Sequence, residues 1–255
     1  MARYRQLARA PVREALIDFR FEPAVSLDVI DRFVEKIRDA YGEKLDLWEA
    51  VFGLDSDEGR MSTHQTGPRA VGRRLTSAGE RTFVVQARIA GFTLSRLYPY
   101  GRWEDLKGEA QRLWGLFVKE TGAVTVSRIA VRYINEIVLP LPFDDFAEFL
   151  TCPPQVPPAL PQSITGFLSR VTIPEAEYDC TSVVTQLLEG APNFGPNGAS
   201  VTVVLDIDVW RECRVAPEQS QHLWDCLDVL RDRKNSMFFE HITEKTAEIY
   251  EHDRT

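Results

Sequence analysis

The chain has 255 residues, of which 44% are hydrophobic and 27% charged, and its formal net charge is −8. This length fits one large domain or two small ones, and the apolar content is sufficient for a proper core. The acidic balance disfavours a dedicated nucleic-acid-binding protein or a binder of anionic membranes, because such proteins usually carry a basic excess.

Several features of the sequence predict a soluble cytoplasmic protein. No apolar stretch approaches the roughly 20 residues that a membrane-spanning helix needs. The N-terminal segment "MARYRQLARAPVREAL" is basic but has no apolar signal core, which argues against export. The four cysteines form no CxxC pair, so we expect free thiols in a reducing compartment. They are Cys152, Cys180, Cys213 and Cys226.

Short catalytic and cofactor motifs are absent from the sequence. The four histidines show no metal-ligand spacing, and HExxH, GxSxG, Walker A and GxGxxG patterns do not occur. We therefore expect no cofactor, although many enzymes also lack a short motif.

The first half of the chain is predicted to run strand, helix, several strands, helix. Apolar and charged residues alternate over "EALIDFRFEP", as in a half-buried strand, and an apolar stripe at helical spacing follows as far as Gly42. "LDLWEAVFGLD" and "AVGRRLTS" are predicted as short strands around a polar loop, and "ERTFVVQARIAGFTLSRLYPY" as a hairpin turning near Ala90–Gly91. A helix over about 103–121 then ends at Gly122.

The second half repeats this order. A strand over 124–139 is followed by a short predicted helix, "FDDFAEFL", and by a proline-rich surface connection over 151–163. "ITGFLSRVTIPEAEYDCTSVVTQLLEG" predicts two strands broken at Pro174, and "ASVTVVLDIDVW" predicts another strand. From Pro217 apolar residues recur at helical spacing to the C-terminus, and the Asn235–Ser236 step is predicted to bend this helix.

Three pairs of similar segments occur in the same order in the two halves, which suggests an internal duplication. "IDFRFEPAVSLDVIDRF" parallels "VRYINEIVLPLPFDDFAEF", "VVQARIAGF" parallels "VVLDIDVW", and "GEAQRLWGLF" parallels "QSQHLWDCL". We expect an α+β fold of two repeat units, residues 1–122 and 123–255, within a single structural domain. Joined edge to edge, the units would form one curved antiparallel sheet with helices on one face. This element order is similar to the TATA-binding-protein-like and helix-grip architectures, a comparison that carries no function with it.

The strand "VSRIAVRYINEIVLP" carries unusual charge for a sheet of this kind. Its apolar residues alternate with Arg128, Arg132 and Glu136, which parity places on the face away from the helices. Neighbouring strands are expected to add further polar side chains to that face. These are Asp18, Arg20 and Glu22 in the first strand, Gln86 and Arg88 in the hairpin, and Asp206 and Asp208 in "VVLDIDVW".

Two interpretations of this face remain open. In the first, opposite charges pair across strands on a solvated surface. In the second, Arg20, Arg88, Arg128, Arg132 and Glu136 form a surface that binds carboxylates, phosphates or the backbone of a partner. Asp206 and Asp208 have the spacing to hold Mg²⁺, but a DxD pair on a strand is a weak signal, and an ion pair with Arg132 is the stronger interpretation.

Four segments resemble a known bacterial protein family. They are "APVREALIDFRFEP", "FTLSRLYPYGRWEDL", "RIAVRYINEIVLP" and "FFEHITEKTAEIYE", with "RYINEI" the most specific part. The family is sporadically distributed, functionally uncharacterised and of about this length, and the resemblance covers essentially the whole chain. It implies no catalytic residue, and it suggests an accessory or defence-linked role.

Two functions follow as hypotheses. The first is a non-enzymatic cytoplasmic binding or regulatory protein that uses the arginine-rich sheet face for a protein partner or a small anionic ligand. The alternative is a metal-dependent or acid–base enzyme built on Asp206, Asp208, Glu136 and the sheet arginines. The run Met237–Phe239 cannot all face one core if the helix is regular, which suggests a homodimer through the C-terminal helix. We expect neither nucleic acid nor membrane as a partner.

Overall fold

The computed structural model describes residues 1–57, 60–79, 82–122, 124–188, 190, 192–196 and 198–251. This part of the chain forms an α+β fold, with a curved antiparallel sheet of ten strands and four α-helices. The predicted fold class is therefore confirmed at the level of an α+β fold built on one large antiparallel sheet.

The helices and strands have the following bounds. The strands are β1 (Val12–Glu22), β2 (Glu43–Asp57), β3 (Arg60–Thr76), β4 (Phe83–Arg88), β5 (Gly91–Leu97), β6 (Thr125–Pro140), β7 (Phe167–Glu175), β8 (Cys180–Leu188), β9 (Asn193–Gly195) and β10 (Gly198–Val215). The helices are α1 (Leu27–Ile37), α2 (Trp103–Thr121), α3 (Ser220–His241) and α4 (Glu244–Ile249).

The strand order across the sheet is β2-β3-β4-β5-β1-β6-β10-β8-β7, and the short β9 pairs with one end of β10. β1 and β6 pair antiparallel, with Ile17 opposite Val131 and Asp18 opposite Ala130. Strands from residues 1–122 lie on one side of this pair, and strands from the rest of the chain lie on the other. The strand over 126–140 is thus at the centre of the sheet.

One face of the sheet packs against the helices and forms the core. Alternate residues of β1 are fully buried on this face because the strand period is two. Phe19 lies at the centre, with its ring centroid 4.7 Å from that of Trp114 on α2 and 5.7 Å from that of Trp224 on α3. The prediction that both tryptophans are buried is confirmed. The opposite face of the sheet therefore has to carry the charged alternate residues.

The structure corrects two of the predicted elements in the second half. "FDDFAEFL" forms only a 3₁₀ turn over Phe146–Glu148, because Leu150 leaves the turn to make a β-bridge with Ile242. Pro174 does not break its strand but lies within β7, where an edge strand tolerates a residue without an N–H donor.

Two further elements differ from prediction in their bounds. The strands expected within 45–76 are longer than predicted and form the hairpin β2–β3. Pairing is a backbone interaction, so the polar sequence between the two apolar segments does not end it. The helix α3 is continuous through Asn235–Ser236, and the apolar helical pattern is interrupted after His241, between α3 and α4.

The apolar cluster Met237–Phe239 is buried within the chain itself. The N-terminal segment covers it: the Ala2 N–H donates to the carbonyl oxygens of Phe239 and Ile242, at 3.1 and 2.9 Å, and the Tyr4 ring lies 5.3 Å from that of Phe239. The observation that suggested a homodimer through the C-terminal helix is thus explained by packing within one chain.

Three further features concern the proline-rich connection, the cysteines and the helices. Residues 151–163 form neither a helix nor a strand, in agreement with the predicted surface connection. All four cysteines are free thiols. Within the described ranges, no helix combines the length and the apolar character that crossing a bilayer requires.

Candidate functional site

Eight charged residues on the face opposite the core form a surface that we call the charged sheet face. It contains four arginines and four carboxylates, which come from strands β4, β1, β6 and β10. The residues are Asp18, Arg20, Arg88, Arg128, Arg132, Glu136, Asp206 and Asp208.

Asp18 is the shared acceptor at the centre of the charged sheet face. Its carboxylate accepts hydrogen bonds from Arg88 Nη2 at 2.6 Å and from Thr93 Oγ1 at 2.6 Å, and Arg128 Nη1 lies 3.4 Å away. Gly91 leaves room for the Arg88 side chain, because a Cβ there would lie only 3.0 Å from Arg88 Nη2. Asp18 thereby links arginines from β4 and β6 through a carboxylate on β1.

Arg128 is held on several sides. Its guanidinium reaches Asp18 and, at 3.6 Å, Asp208, and it lies 4.9 Å from the ring centroid of Trp210. Only 16% of the Arg128 side chain is exposed. Burial lowers the pKa of Arg128 and raises the pKa of Asp208, although the opposite charges partly offset both effects. Arg128 is thus a half-buried member of an ion-pair network.

Arg132 and Asp206 form a bidentate ion pair across β6 and β10. Arg132 Nε and Nη2 donate to the two oxygens of Asp206 at 2.8 and 2.6 Å. This hydrogen bond raises the pKa of Arg132. The charge-partner interpretation of Asp206 is therefore confirmed. No group of three or more histidine, cysteine or carboxylate side chains suited to a metal ion occurs among the residues that the structure describes.

The last two members lie away from the network. Glu136 accepts a hydrogen bond from Arg13 Nη1 at 2.9 Å. Arg20 lies directly opposite Arg128 in the β1–β6 pairing and is exposed. Within the described part of the chain, Arg20 has no ion-pair partner. The face thus combines a compensated charge network with one accessible, uncompensated guanidinium.

The comparisons with known proteins identify no relative. No protein-family model, no curated protein and no solved structure matches the chain. The resemblance to a bacterial family therefore stays a prediction.

A second cluster of polar groups, in a cleft beside α3, was not predicted from the sequence. Lys234 is almost fully buried there, at 6% exposure, and its Nζ lies 3.5 Å from the ring centroid of Tyr133. The hydroxyl groups of Tyr133 and Tyr100 are 2.6 Å apart. A signal for this site was present in the sequence, because Lys234 continues the apolar helical stripe through Leu227 and Leu230, where a charged residue is unexpected.

Proposed function

We propose that the chain is a non-enzymatic binding protein whose charged sheet face takes a protein partner. One observation carries the proposal: the face presents positive and negative groups from β4, β1, β6 and β10, most of which are fixed by ion pairs. Ion pairs within the face hold Arg88, Arg128, Arg132 and their carboxylate partners in place, so these side chains have little freedom left to lose on binding.

The balance of charges favours a protein over other partners. Four arginines face four carboxylates, so the surface lacks the positive excess that a nucleic acid or another polyanion requires. A protein surface with alternating charges matches such a pattern, and complementary charge gives specificity and register. Arg20 and Arg132 are the groups best placed to contact the partner, because Arg20 is exposed and the side chain of Arg132 is 42% exposed.

The same contacts argue against the enzyme alternative. Asp206 and Glu136 are each held by an arginine, and Asp208 lies against Arg128. A general base or a metal ligand needs a carboxylate lone pair that is directed at substrate or metal, whereas both oxygens of Asp206 and one oxygen each of Glu136 and Asp208 lie against guanidinium groups.

The experiment is a comparative affinity purification from lysate of the organism that encodes the chain, followed by mass spectrometry. The test variant is Arg20→Ala with Arg132→Gln and Asp206→Asn, which removes the free cation and replaces the ion pair by a neutral hydrogen-bonding pair. We expect a stoichiometric protein that the wild type recovers and the test variant loses.

A matched control is available on the opposite side of the molecule. Arg112 and Glu109 on α2 form a bidentate pair, at 2.9 and 2.6 Å, with exposure similar to that of Arg132 and Asp206. The control variant Arg112→Gln with Glu109→Gln should recover the partner as the wild type does. Equal loss in both variants, or recovery of a small anion without a protein, would contradict the proposal.

We also propose that the sheet arose by duplication, with units 1–122 and 123–255 in a TATA-binding-protein-like or helix-grip-like arrangement. The strand order supports this: β1 and β6 open the two halves and pair at the centre, and β5 and β10 lie next to them on either side. The helix that follows β5 and the helix that follows β10 both pack on the core face through a tryptophan. A crystal structure in which the two units do not superpose strand for strand would contradict the duplication.

A further inference from the structure

The cleft beside α3 is a distinct feature that the charged sheet face does not involve. Its volume is about 360 Å³, within the range of about 300–1,000 Å³ typical of small-molecule sites. It lies between the N-terminal segment, the start of α2, β6 and α3. Among its lining residues, those with polar side chains relevant to binding are Arg5, Tyr100, Arg102, Tyr133, Asn135, Arg231 and Lys234.

Lys234 is the buried amine in this cleft. Within the described residues its Nζ has no hydrogen bond and no ion pair, and its contact is with the face of the Tyr133 ring. The three other cations of the lining have carboxylate partners: Arg5 pairs with Glu244, Arg231 with Asp232, and Arg102 with Asp105. Lys234 is therefore the cation of the cleft that is available to a ligand.

The two tyrosines supply a proton donor next to this amine. Their hydroxyl groups share one hydrogen bond, which uses one of the two O–H groups as donor. The second O–H remains free to donate to a ligand. Burial is the main reason that the pKa of Tyr133 is raised and that the pKa of Tyr100 rises to about 12, so both hydroxyls keep their protons at neutral pH.

Asn135 lies beside the tyrosines and adds an acceptor. Its Nδ2 donates to the carbonyl oxygen of Leu205 at 2.9 Å, which fixes the amide orientation. The Oδ1 atom is not used in this bond and is available as an acceptor.

We propose that the cleft binds a small 2-oxo acid, an oxo group next to a carboxylate, and that Lys234 forms an imine with its carbonyl carbon. The carboxylate is favoured because the partners of Arg5, Arg102 and Arg231 lie outside the lining, so that four basic side chains and the single carboxylate of Glu104 form the cleft surface. The carbonyl is favoured because an amine without a carboxylate partner and a hydrogen-bonded pair of tyrosine hydroxyls line the same cleft.

The chemistry needs no further reactant. The lone pair of the neutral amine forms a C–N bond to the carbonyl carbon, and the C=O π electrons move to oxygen, which takes a proton from the tyrosine pair. Nitrogen then loses its protons, the hydroxyl leaves as water, and the tyrosine recovers a proton. Amine and carbonyl become imine and water. Burial lowers the pKa of Lys234 to about 7, so a large share of the amine is neutral at physiological pH.

The test is reductive trapping of the purified full chain with glyoxylate and cyanoborohydride at pH 7, with peptide mass spectrometry to locate the modified lysine. The chain has six lysines, of which Lys36 and Lys119 are exposed references. Because an ordinary lysine is almost entirely protonated at pH 7, we expect Lys234 to be modified at least about tenfold faster than either reference.

Control variants and a control aldehyde test separately the role of Lys234, the role of the tyrosine pair and the preference for a carboxylate. Lys234→Met should abolish the adduct, Lys119→Met should leave it unchanged, and Tyr133→Phe should slow its formation. Glyoxylate should modify Lys234 faster than propionaldehyde, which lacks the carboxylate. If the exposed lysines of the folded wild type are modified while Lys234 is not, the imine is excluded even when a variant fails to fold. If propionaldehyde equals glyoxylate, the oxo-acid assignment is wrong.

Discussion

Replacing Arg128 with alanine tests whether the charged sheet face is a half-buried network rather than a solvated surface. The side chains of Arg128, Asp18 and Asp208 are only 16%, 14% and 29% exposed. Asp18 would keep its hydrogen bonds from Arg88 and Thr93. Asp208 would lose its ion pair with Arg128 while its side chain stays half-buried, so most of the loss in stability comes from Asp208.

The magnitude follows from this burial. Breaking a fully buried ion pair costs about 3–5 kcal/mol, an exposed pair is worth about 0–1 kcal/mol, and the lost contact with Trp210 adds about 0.5–1 kcal/mol. We therefore expect Arg128→Ala to lower the free energy of unfolding by about 2–3 kcal/mol. Asp208→Asn removes the carboxylate charge that would be left without a partner. In that background, Arg128→Ala should lower the free energy of unfolding by about 1 kcal/mol less.

Urea unfolding followed by circular dichroism measures these values. The matched control is Arg13→Ala, because Arg13 also pairs with a carboxylate on this sheet, Glu136, but is 62% exposed. Its cost should be below about 1 kcal/mol. Equal, small costs for Arg128→Ala and Arg13→Ala would refute the reasoning, and so would a cost for Arg128→Ala that does not depend on Asp208.

Two further predictions concern the core and the cleft. Trp114→Ala and Trp224→Ala should each lower the free energy of unfolding by about 3–5 kcal/mol in urea, because both rings pack on Phe19; a change below about 1 kcal/mol would contradict the packing. Since burial lowers the pKa of Lys234 from 10.5 to about 7, the unfolded state binds more protons between these values, and stability should rise with pH there. Lys234→Met should therefore stabilise the protein, and this gain in stability should shrink by about 1.4 kcal/mol per pH unit between about pH 7.5 and 9.5. A gain that is independent of pH would show that folding does not lower the pKa of Lys234. The charged groups facing Lys234 are Arg231 and Asp232 on α3, Arg102 and Glu104 at the start of α2, Arg5 in the N-terminal segment, and the hydroxyls of Tyr100 and Tyr133.

The part of the fold that depends on local periodicity could be predicted from the sequence. The bounds of α2 and the hairpin turn at Ala90–Gly91 agree with prediction, because an apolar stripe and a turn signal are both local features. The 3₁₀ turn over Phe146–Glu148 could not be predicted, since the bridge between Leu150 and Ile242 that ends it joins residues far apart in sequence.

The candidate site, too, could be predicted from the sequence only in part. Strand parity placed Arg128 and Arg132 on the face opposite the core, where the β1–β6 and β6–β10 registers have them. Parity does not determine which carboxylate each arginine contacts, nor that Arg128 is half-buried while Arg20 is exposed. The cleft around Lys234 required tertiary structure, because four separate segments bring its lining together.

The central claim is that the charged sheet face binds a protein. The most direct measurement is a calorimetric titration of the purified partner with the wild type and with the variant Arg20→Ala, Arg132→Gln and Asp206→Asn. We expect the variant to melt near the wild-type temperature and to bind at least about 30-fold more weakly, since loss of a central arginine contact typically costs about 2 kcal/mol or more. An unchanged Kd for a folded variant would contradict the account.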